Sequence, residues 1–264
     1  MPNSHETNTL AVAIPTCCQT PEEVRIGYSL QSLAMQASGH FEVFVWDEGP
    51  VPVVSNRWVR LIIDLLTEKG HVVNYLRRRS SLGVAAARMG LLKEASSQHS
   101  RVLMIDDDLV AMPGAIDHLL QATRTVETFG FLQGTKIELD PQRTYYNDIN
   151  QLNELANDSE LKRLYFGDAA FLLVETNALQ YVDWDVVTKY KEEGLAGEDV
   201  TMSLMIADKL PCFGVPSAVG YHLSLPRPRW RWEMPSDILQ IELLRGIVSD
   251  ETLKAALPHL AHYL

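Results

Sequence analysis

The stretch Arg101-Val-Leu-Met-Ile-Asp106-Asp107-Asp108-Leu-Val110 runs from four apolar residues of strand character straight into three carboxylates, and a new segment opens at Pro113. Three adjacent acids repel one another, so they need a counter-cation, dense hydrogen bonding or full hydration. If Val102 to Ile105 form a buried strand of an α/β sheet, the acids stand at its carboxyl end, where such sheets bind ligands. A hard divalent cation taken up by carboxylate oxygens could then grip a phosphorylated substrate. The other reading is a solvated acidic turn capping the next helix. The tripeptide alone leaves both open.

The flanking sequence bears on the choice. Leu10 to Ile14 reads as a first buried strand, broken at Pro15-Thr16. Thr20-Pro21-Glu22-Glu23 carries the marks of a helix start: a Thr N-cap, Pro at the first helical position and Glu closing a capping box. Ile26, Leu30, Leu33, Ala34 and Ala37 then trace one apolar helical face. Phe41 to Trp46 reads as a second strand ending in Asp47-Glu48-Gly49-Pro50. Ser55 to Lys69 reads as a helix stopped by Gly70, and His71 to Leu76 as a third strand. A basic loop, Arg77 to Gly83, leads into an Ala-rich helix, Val84 to Ser97, and then into the strand before Asp106. Strand and helix alternating over short connections predict an α/β fold, a mostly parallel central sheet with helices on both faces.

Downstream the pattern is less regular. A helix is expected near Pro113 to Thr125, a strand over Phe129 to Leu139, and a polar excursion over the site from Asp140 to Arg163. Tyr165 to Val174 contains another strand with Gly167-Asp168 at its start, and Trp184 sits in a turn-like Val-Asp-Trp-Asp. Gly194 to Gly197 leads into a helix opened by Glu198-Asp199. Pro211 to Tyr221 reads as the last strand, followed by His222 and by Pro226-Arg-Pro-Arg-Trp-Arg-Trp-Glu233. Ser236 to Leu264 reads as two helices. With no repeat or linker, residues 1–264 are read as one domain in three parts, about 10–125, 126–235 and 236–264.

Composition excludes several classes. The 264 residues are 46% hydrophobic, enough for a sizeable core, and carry a net charge of −11. Nucleic-acid affinity rests on phosphate neutralisation, so no nucleic-acid partner is expected. Three cysteines, two adjacent at Cys17 and Cys18, form neither a disulfide framework nor a zinc site and suit reduced thiols in a cytoplasmic protein. The polar N-terminus does not read as a signal peptide, and no apolar run approaches the ~20 residues of a transmembrane segment. Any membrane contact would be peripheral.

The order of the motifs is more telling than any one of them. Asp47 ends strand two, Arg79 and Gly83 precede helix three, Asp106 and Asp108 end strand four, Glu198-Asp199 open a later helix, and His222 follows the last strand. Over Leu10 to His222 this set resembles the family 2 glycosyltransferases of the GT-A fold. The acidic triplet is similar to that family's DxD motif, and Gly197-Glu198-Asp199 to its "ED" element. Met89 and Ser80-Ser81 stand where the family often shows Asn.

The resemblance implies a single GT-A-like, Rossmann-like domain with a nucleotide-sugar half, an acceptor half and C-terminal helices. It also implies metal-dependent, inverting transfer from a nucleoside-diphosphate sugar donor to a hydroxyl acceptor of unknown identity. Pro15, Thr16 and Asp47 would border the base, and Arg79, Gly83 and Arg88 would lie near the nucleotide. Asp106 would face the ribose or the metal, with Asp107 beside it. Asp108, Asp106 and His222 would hold Mn²⁺ or Mg²⁺. A cation there would stabilise the charge that builds on the leaving diphosphate. Asp199 would be the base that deprotonates the acceptor, its ionised form favoured by the helix N-terminus, while Glu198 would bind the acceptor. Plainer readings stand beside these: a turn aspartate at 47, helix-capping acids at 198 and 199, a structural histidine at 222. Arg229, among Arg227, Trp230, Arg231 and Trp232, suggests a lid that neutralises phosphates and stacks on a sugar or base. A packed aromatic edge or a peripheral membrane contact would give the same composition. Trp184, Asp168 and Trp230 stand as acceptor-side candidates, and the C-terminal helices would pair two subunits as a homodimer or cover the site. The competing functions are a sugar-1-phosphate nucleotidyltransferase, disfavoured because Pro15 to Thr20 contains no glycine, and a non-catalytic nucleotide- or carbohydrate-binding protein on the same scaffold.

Overall fold

Period-two alternation divides the strands' side chains between two apolar layers. On β1 (Leu10–Thr16), Leu10, Val12 and Ile14 face one layer while Ala11 and Ala13 face the other, as a pleated strand buried on both faces requires. The same division holds on β2 (Phe41–Asp47) and β4 (Arg101–Ile105). The computed structural model describes residues 10–37, 39–78, 83–139, 157–193, 197–223, 244 and 246–256. Among them are nine strands in one sheet. The remaining six are β3 (Val72–Arg77), β5 (Leu109–Ala111), β6 (Phe131–Glu138), β7 (Lys162–Leu164), β8 (Phe171–Glu175) and β9 (Cys212–His222).

The strand order is β3-β2-β1-β4-β8-β6-β9-β5, with β7 on β9. The first four strands are parallel neighbours. Beyond β4 the sheet is mixed, with β8 antiparallel to β4 and β6, and β6 parallel to β9. Parallel ladders carry more of the paired residues than antiparallel ones, as the alternation predicted. Helices α1 (Arg25–Ala34), α2 (Arg57–Glu68) and α4 (Ala115–Thr125) close one layer. Helices α3 (Val84–Ser96), α5 (Trp184–Glu193), α6 (Glu198–Lys209) and α7 (Asp250–Ala256) close the other. Order reverses between β1 and β4, so their carboxyl ends form the switch point at which open α/β sheets bind ligands.

Several local expectations are corrected. Residues 20–24 do not begin α1: Glu23 N–H donates to Thr20 O, and the Glu23 carboxylate accepts from Gln19 N–H and Arg25. The acid meant for a capping box is spent closing a loop, and the helix begins at Arg25 without a side-chain cap. α2 begins at Arg57 rather than Ser55, capped by Asn56, whose Oδ1 accepts from Trp58 N–H at 2.9 Å. Asp168 lies before β8 rather than in it, because Oδ1 accepts from Ala170 N–H and folds the chain into a turn. Trp184 opens α5 rather than a turn, capped by Asp183 Oδ1, which accepts from Asp185 and Val186 N–H. His222 is the last residue of β9, not beyond it. The short β5 and β7 escaped the sequence reading. Of the two helices expected after Ser236, α7 is described; residues 236–243, 245 and 257–264, most of 140–163 and the Arg/Trp segment lie outside the described residues.

Candidate active site

The carboxyl ends of β1 and β4 bound an open cleft lined by Pro15, Thr16, Cys17, Arg25, Glu48, Val84, Ala87, Asp106 and Asp107. Thr16 Oγ1 donates to Asp107 Oδ2 at 2.7 Å, tying the two strands at their switch point. Pro15, Thr16, Asp106 and Asp107 therefore meet at one cleft.

Asp47 does not face this cleft. It is wholly buried, its oxygens accepting from Gly49 N–H at 3.1 Å, Val53 N–H at 2.9 Å and the Tyr75 hydroxyl, with Arg77 3.5 Å away. Three hydrogen bonds and an ion pair commit the carboxylate to shaping the loop after β2 rather than to the cleft. A side chain on Gly49 would strike the Cys18 backbone, so this loop packs directly on the one after β1. The acid in the cleft wall is the neighbour, Glu48, which accepts from Trp46 Nε1 at 2.8 Å and from Gly83 N–H at 3.1 Å. Sequence reasoning passed over it, although the adjacent acid past a strand end was the signal. Gly83 precedes α3 as expected. Arg79, Arg229 and Trp230 lie outside the described residues.

Arg88, on α3, gathers three carboxylates from distant parts of the chain. Its Nη2 is 2.8 Å from Asp106, and its Nη1 is 2.6 Å from Glu198 and 3.4 Å from Asp199. Gly197 adopts a left-handed φ of 99°, which a side chain would strain, and delivers both acids into the first turn of α6. Burial lowers the affinity of Arg88 for its proton, but Asp106, Glu198 and Asp199 outweigh it and raise its pKa. One cation among three acids leaves a surplus of negative charge. Asp199 absorbs it: burial first, then the Glu198 charge, push its pKa up to about 7 against the pull of Arg88. Ala169 N–H donates to Asp199 Oδ2 at 3.0 Å and fixes that oxygen.

On the other side of Asp106 stands His222. Its Nε2 lies 3.0 Å from Asp108 and 3.6 Å from Asp106, and its Nδ1 lies 2.7 Å from Glu138. Burial alone would lower the His222 pKa, yet the hydrogen bonds to Asp106 and Asp108, with Glu138 behind them, raise it to about 10. Asp106, Asp108 and His222 each offer one ligand atom, all within 4.8 Å of one another. Two hard oxygens and one imidazole nitrogen suit a divalent cation such as Mn²⁺. Glu138 was missed: it is the last residue of β6, and an acid at a strand end was its signal. Asp168 sits beside this network, paired with Lys136. Trp184 does not join the site: it packs, half-buried, against the apolar layer beneath α3.

The whole arrangement lies on the β-strand edge expected of a nucleotide-dependent transferase, and the chain matches the family model described as Glycosyl transferase family 2 over residues 11–180. It belongs to that family. The family assignment makes the chain a glycosyltransferase and sets aside the nucleotidyltransferase alternative. Among solved structures, this glycosyltransferase is similar to residues 1–349 of S. aureus TarS in complex with UDP-GlcNAc. The TM-score is 0.64 at 16% identity, covering 97% of this chain and 73% of that one. It is also similar to the mannosyltransferase PcManGT from Pyrobaculum calidifontis in complex with GDP-Man and Mn²⁺, with a TM-score of 0.58 at 16% identity over 96% and 75% of the two chains. GalNAc-T7 with UDP, GalNAc and Mn²⁺ matches with a TM-score of 0.56 at 13% identity, over 98% of this chain and 52% of that one. At these identities the likeness is one of fold. No curated protein matches the glycosyltransferase by sequence. Among its described residues, no helix is long and apolar enough to cross a membrane.

Proposed function

We propose that the chain transfers a sugar from a nucleoside-diphosphate sugar to an acceptor hydroxyl in a metal-dependent, inverting reaction. The observation that carries this reading is the sharing of Arg88 between Asp106 and the Glu198–Asp199 pair, which sets a donor-side acid and a candidate base on two sides of one guanidinium. The bound nucleotides and Mn²⁺ in PcManGT and GalNAc-T7 support the donor and cofactor classes.

In this reading the base and ribose lie in the cleft between the β1 and β4 ends, against Pro15, Thr16, Glu48 and Asp107. Asp106, Asp108 and His222 would hold the cation, and their imidazole nitrogen would favour Mn²⁺, since Mg²⁺ prefers all-oxygen shells. When bound, the cation supplies Lewis-acid stabilisation of the departing diphosphate. The acceptor hydroxyl oxygen attacks the anomeric carbon from the face opposite the diphosphate. The bond to the diphosphate oxygen breaks with its electron pair, and Asp199 takes the hydroxyl proton. A pKa of about 7 suits that task, because a base works best when its proton affinity is near the working pH. Arg88 holds Glu198 and Asp199 in place, and Asp168 lies on the acceptor side.

Thermal melts of the chain with UDP, GDP, CDP and ADP, each with and without Mn²⁺, test the reading, followed by transfer assays from the labelled sugar of the stabilising nucleotide. Stabilisation by at least one nucleotide, enhanced by Mn²⁺, is expected. A chain that none of the four stabilises under either condition overturns it.

A further inference from the structure

β6 ends in Lys136-Ile137-Glu138. Ile137 is buried, and strand alternation puts the two charged residues together on the opposite face. β6 runs parallel to β9 with Glu138 directly opposite His222. That register is not the one with which the ladder starts. Leu132 pairs with Phe213, and an unbroken ladder would set Glu138 against Val219. Between Gly134 and Thr135 the register shifts, and Pro216 lies in the β9 segment that is skipped. Proline has no N–H to give a ladder, and Thr135 Oγ1 donates to the Pro216 carbonyl at 3.1 Å across the irregularity. The bulge is what brings an acid to the histidine.

We propose that Glu138 is the positioning residue that presents His222 to a divalent cation. This rests on the reading of Asp106, Asp108 and His222 as the metal cluster. The two ring nitrogens of His222 face opposite ways: Nδ1 is 2.7 Å from Glu138 Oε2, and Nε2 faces Asp108 and Asp106. A neutral imidazole carries one N–H and one lone pair. A carboxylate at Nδ1 accepts the N–H, so the lone pair is left on Nε2, where a cation can take it. The same hydrogen bond fixes the ring plane and makes the nitrogen a stronger donor. Lys136 acts one step further out. Its ammonium is 3.0 Å from Glu138 Oε1 and is paired with Asp168, so it holds the second Glu138 oxygen on the side away from His222.

The test is titration of the full chain with Mn²⁺ alone, read from the electron paramagnetic resonance of free Mn²⁺, for wild type, Glu138→Gln, His222→Ala and the double variant. Loss of the outer partner of a metal ligand costs about 10- to 100-fold in affinity, and Glu138→Gln should show a loss of that size with an unchanged melting temperature. In the His222→Ala background the same change should cost nothing further, because Glu138 acts only through the ring. A role confined to fold stability would move the melting temperature and leave the Mn²⁺ affinities additive. If Glu138→Gln fails to fold, Glu138→Asp, whose shorter reach breaks the contact, is read the same way. Wild-type affinity in the Glu138 variant beside a weakened His222→Ala overturns the inference and leaves the metal site standing. Equal affinity of wild type and His222→Ala overturns both.

Discussion

Two groups of carboxylates meet at Asp106, and they are neutralised by different means. Asp106, Asp108 and Glu138 surround the imidazole of His222, while Asp106, Glu198 and Asp199 surround the guanidinium of Arg88. A guanidinium keeps its charge under all ordinary conditions and bridges several oxygens with a rigid fork. An imidazole carries a removable proton, and its nitrogen is a metal ligand once that proton leaves. The first group can therefore exchange a proton for a cation, whereas the second is a fixed fixture. The contrast suggests why Asp199 rather than Asp108 suits proton transfer: it belongs to the group whose cation cannot leave and cannot compensate every acid.

Removing the permanent cation should have the largest effect. Arg88→Met leaves buried acids uncompensated, which typically costs about 3–5 kcal/mol. Chemical denaturation should show a loss of that order, and transfer should be abolished. Arg88→Lys keeps the charge but cannot span Asp106 and Glu198 together, so it should recover stability more than activity. Near-wild-type transfer in Arg88→Lys would break the comparison.

Asp199→Asn comes next, with transfer reduced about 10²- to 10⁴-fold and nucleotide binding retained, as measured by kcat against donor affinity. It also reports the surplus charge. Asp199 holds its proton up to about 7 in the folded chain, against about 4 in an unfolded one. Between those values the folded state binds more protons than the unfolded state, so stability falls as pH rises. Melting curves of wild type should decline from pH 4 to 7 relative to Asp199→Asn. The transfer rate should rise as pH passes upward through 7, since only the carboxylate accepts a proton.

In the exchangeable group, Asp108→Asn should weaken Mn²⁺ binding beyond the roughly 100-fold upper end seen for outer partners of metal ligands, with Arg88 and its acids undisturbed. Calorimetry in the presence of a nucleoside diphosphate measures it, and an unchanged affinity would remove Asp108 from the metal cluster. Lys136→Met should be the mildest change, about 1 kcal/mol of stability for a partly exposed pair, with a small loss of Mn²⁺ affinity transmitted through Glu138.

Much of this was legible locally. Apolar runs showed β1, closed by Pro15-Thr16, and β2 and β4, closed by acids, and the acids after Gly197 showed the start of α6, because these features depend on neighbours a few residues apart. Boundaries failed where a side chain made a local bond that periodicity does not reveal: Glu23 closing a loop, Asp183 capping α5, Asp168 folding a turn.

The sequence by itself determined an α/β chain with acids and a histidine at its strand ends. Only the tertiary structure decided which of them share a partner. Asp47 turned inward and Glu48 took the cleft wall, because the β2 loop closes on backbone N–H groups. Glu138 met His222, 84 positions away, through a register shift at Gly134–Thr135. The physical reason is that strand register is fixed by the packing of the whole sheet and by breaks such as that at Pro216. A strand's own pattern records which face its residues occupy, not which residue stands opposite.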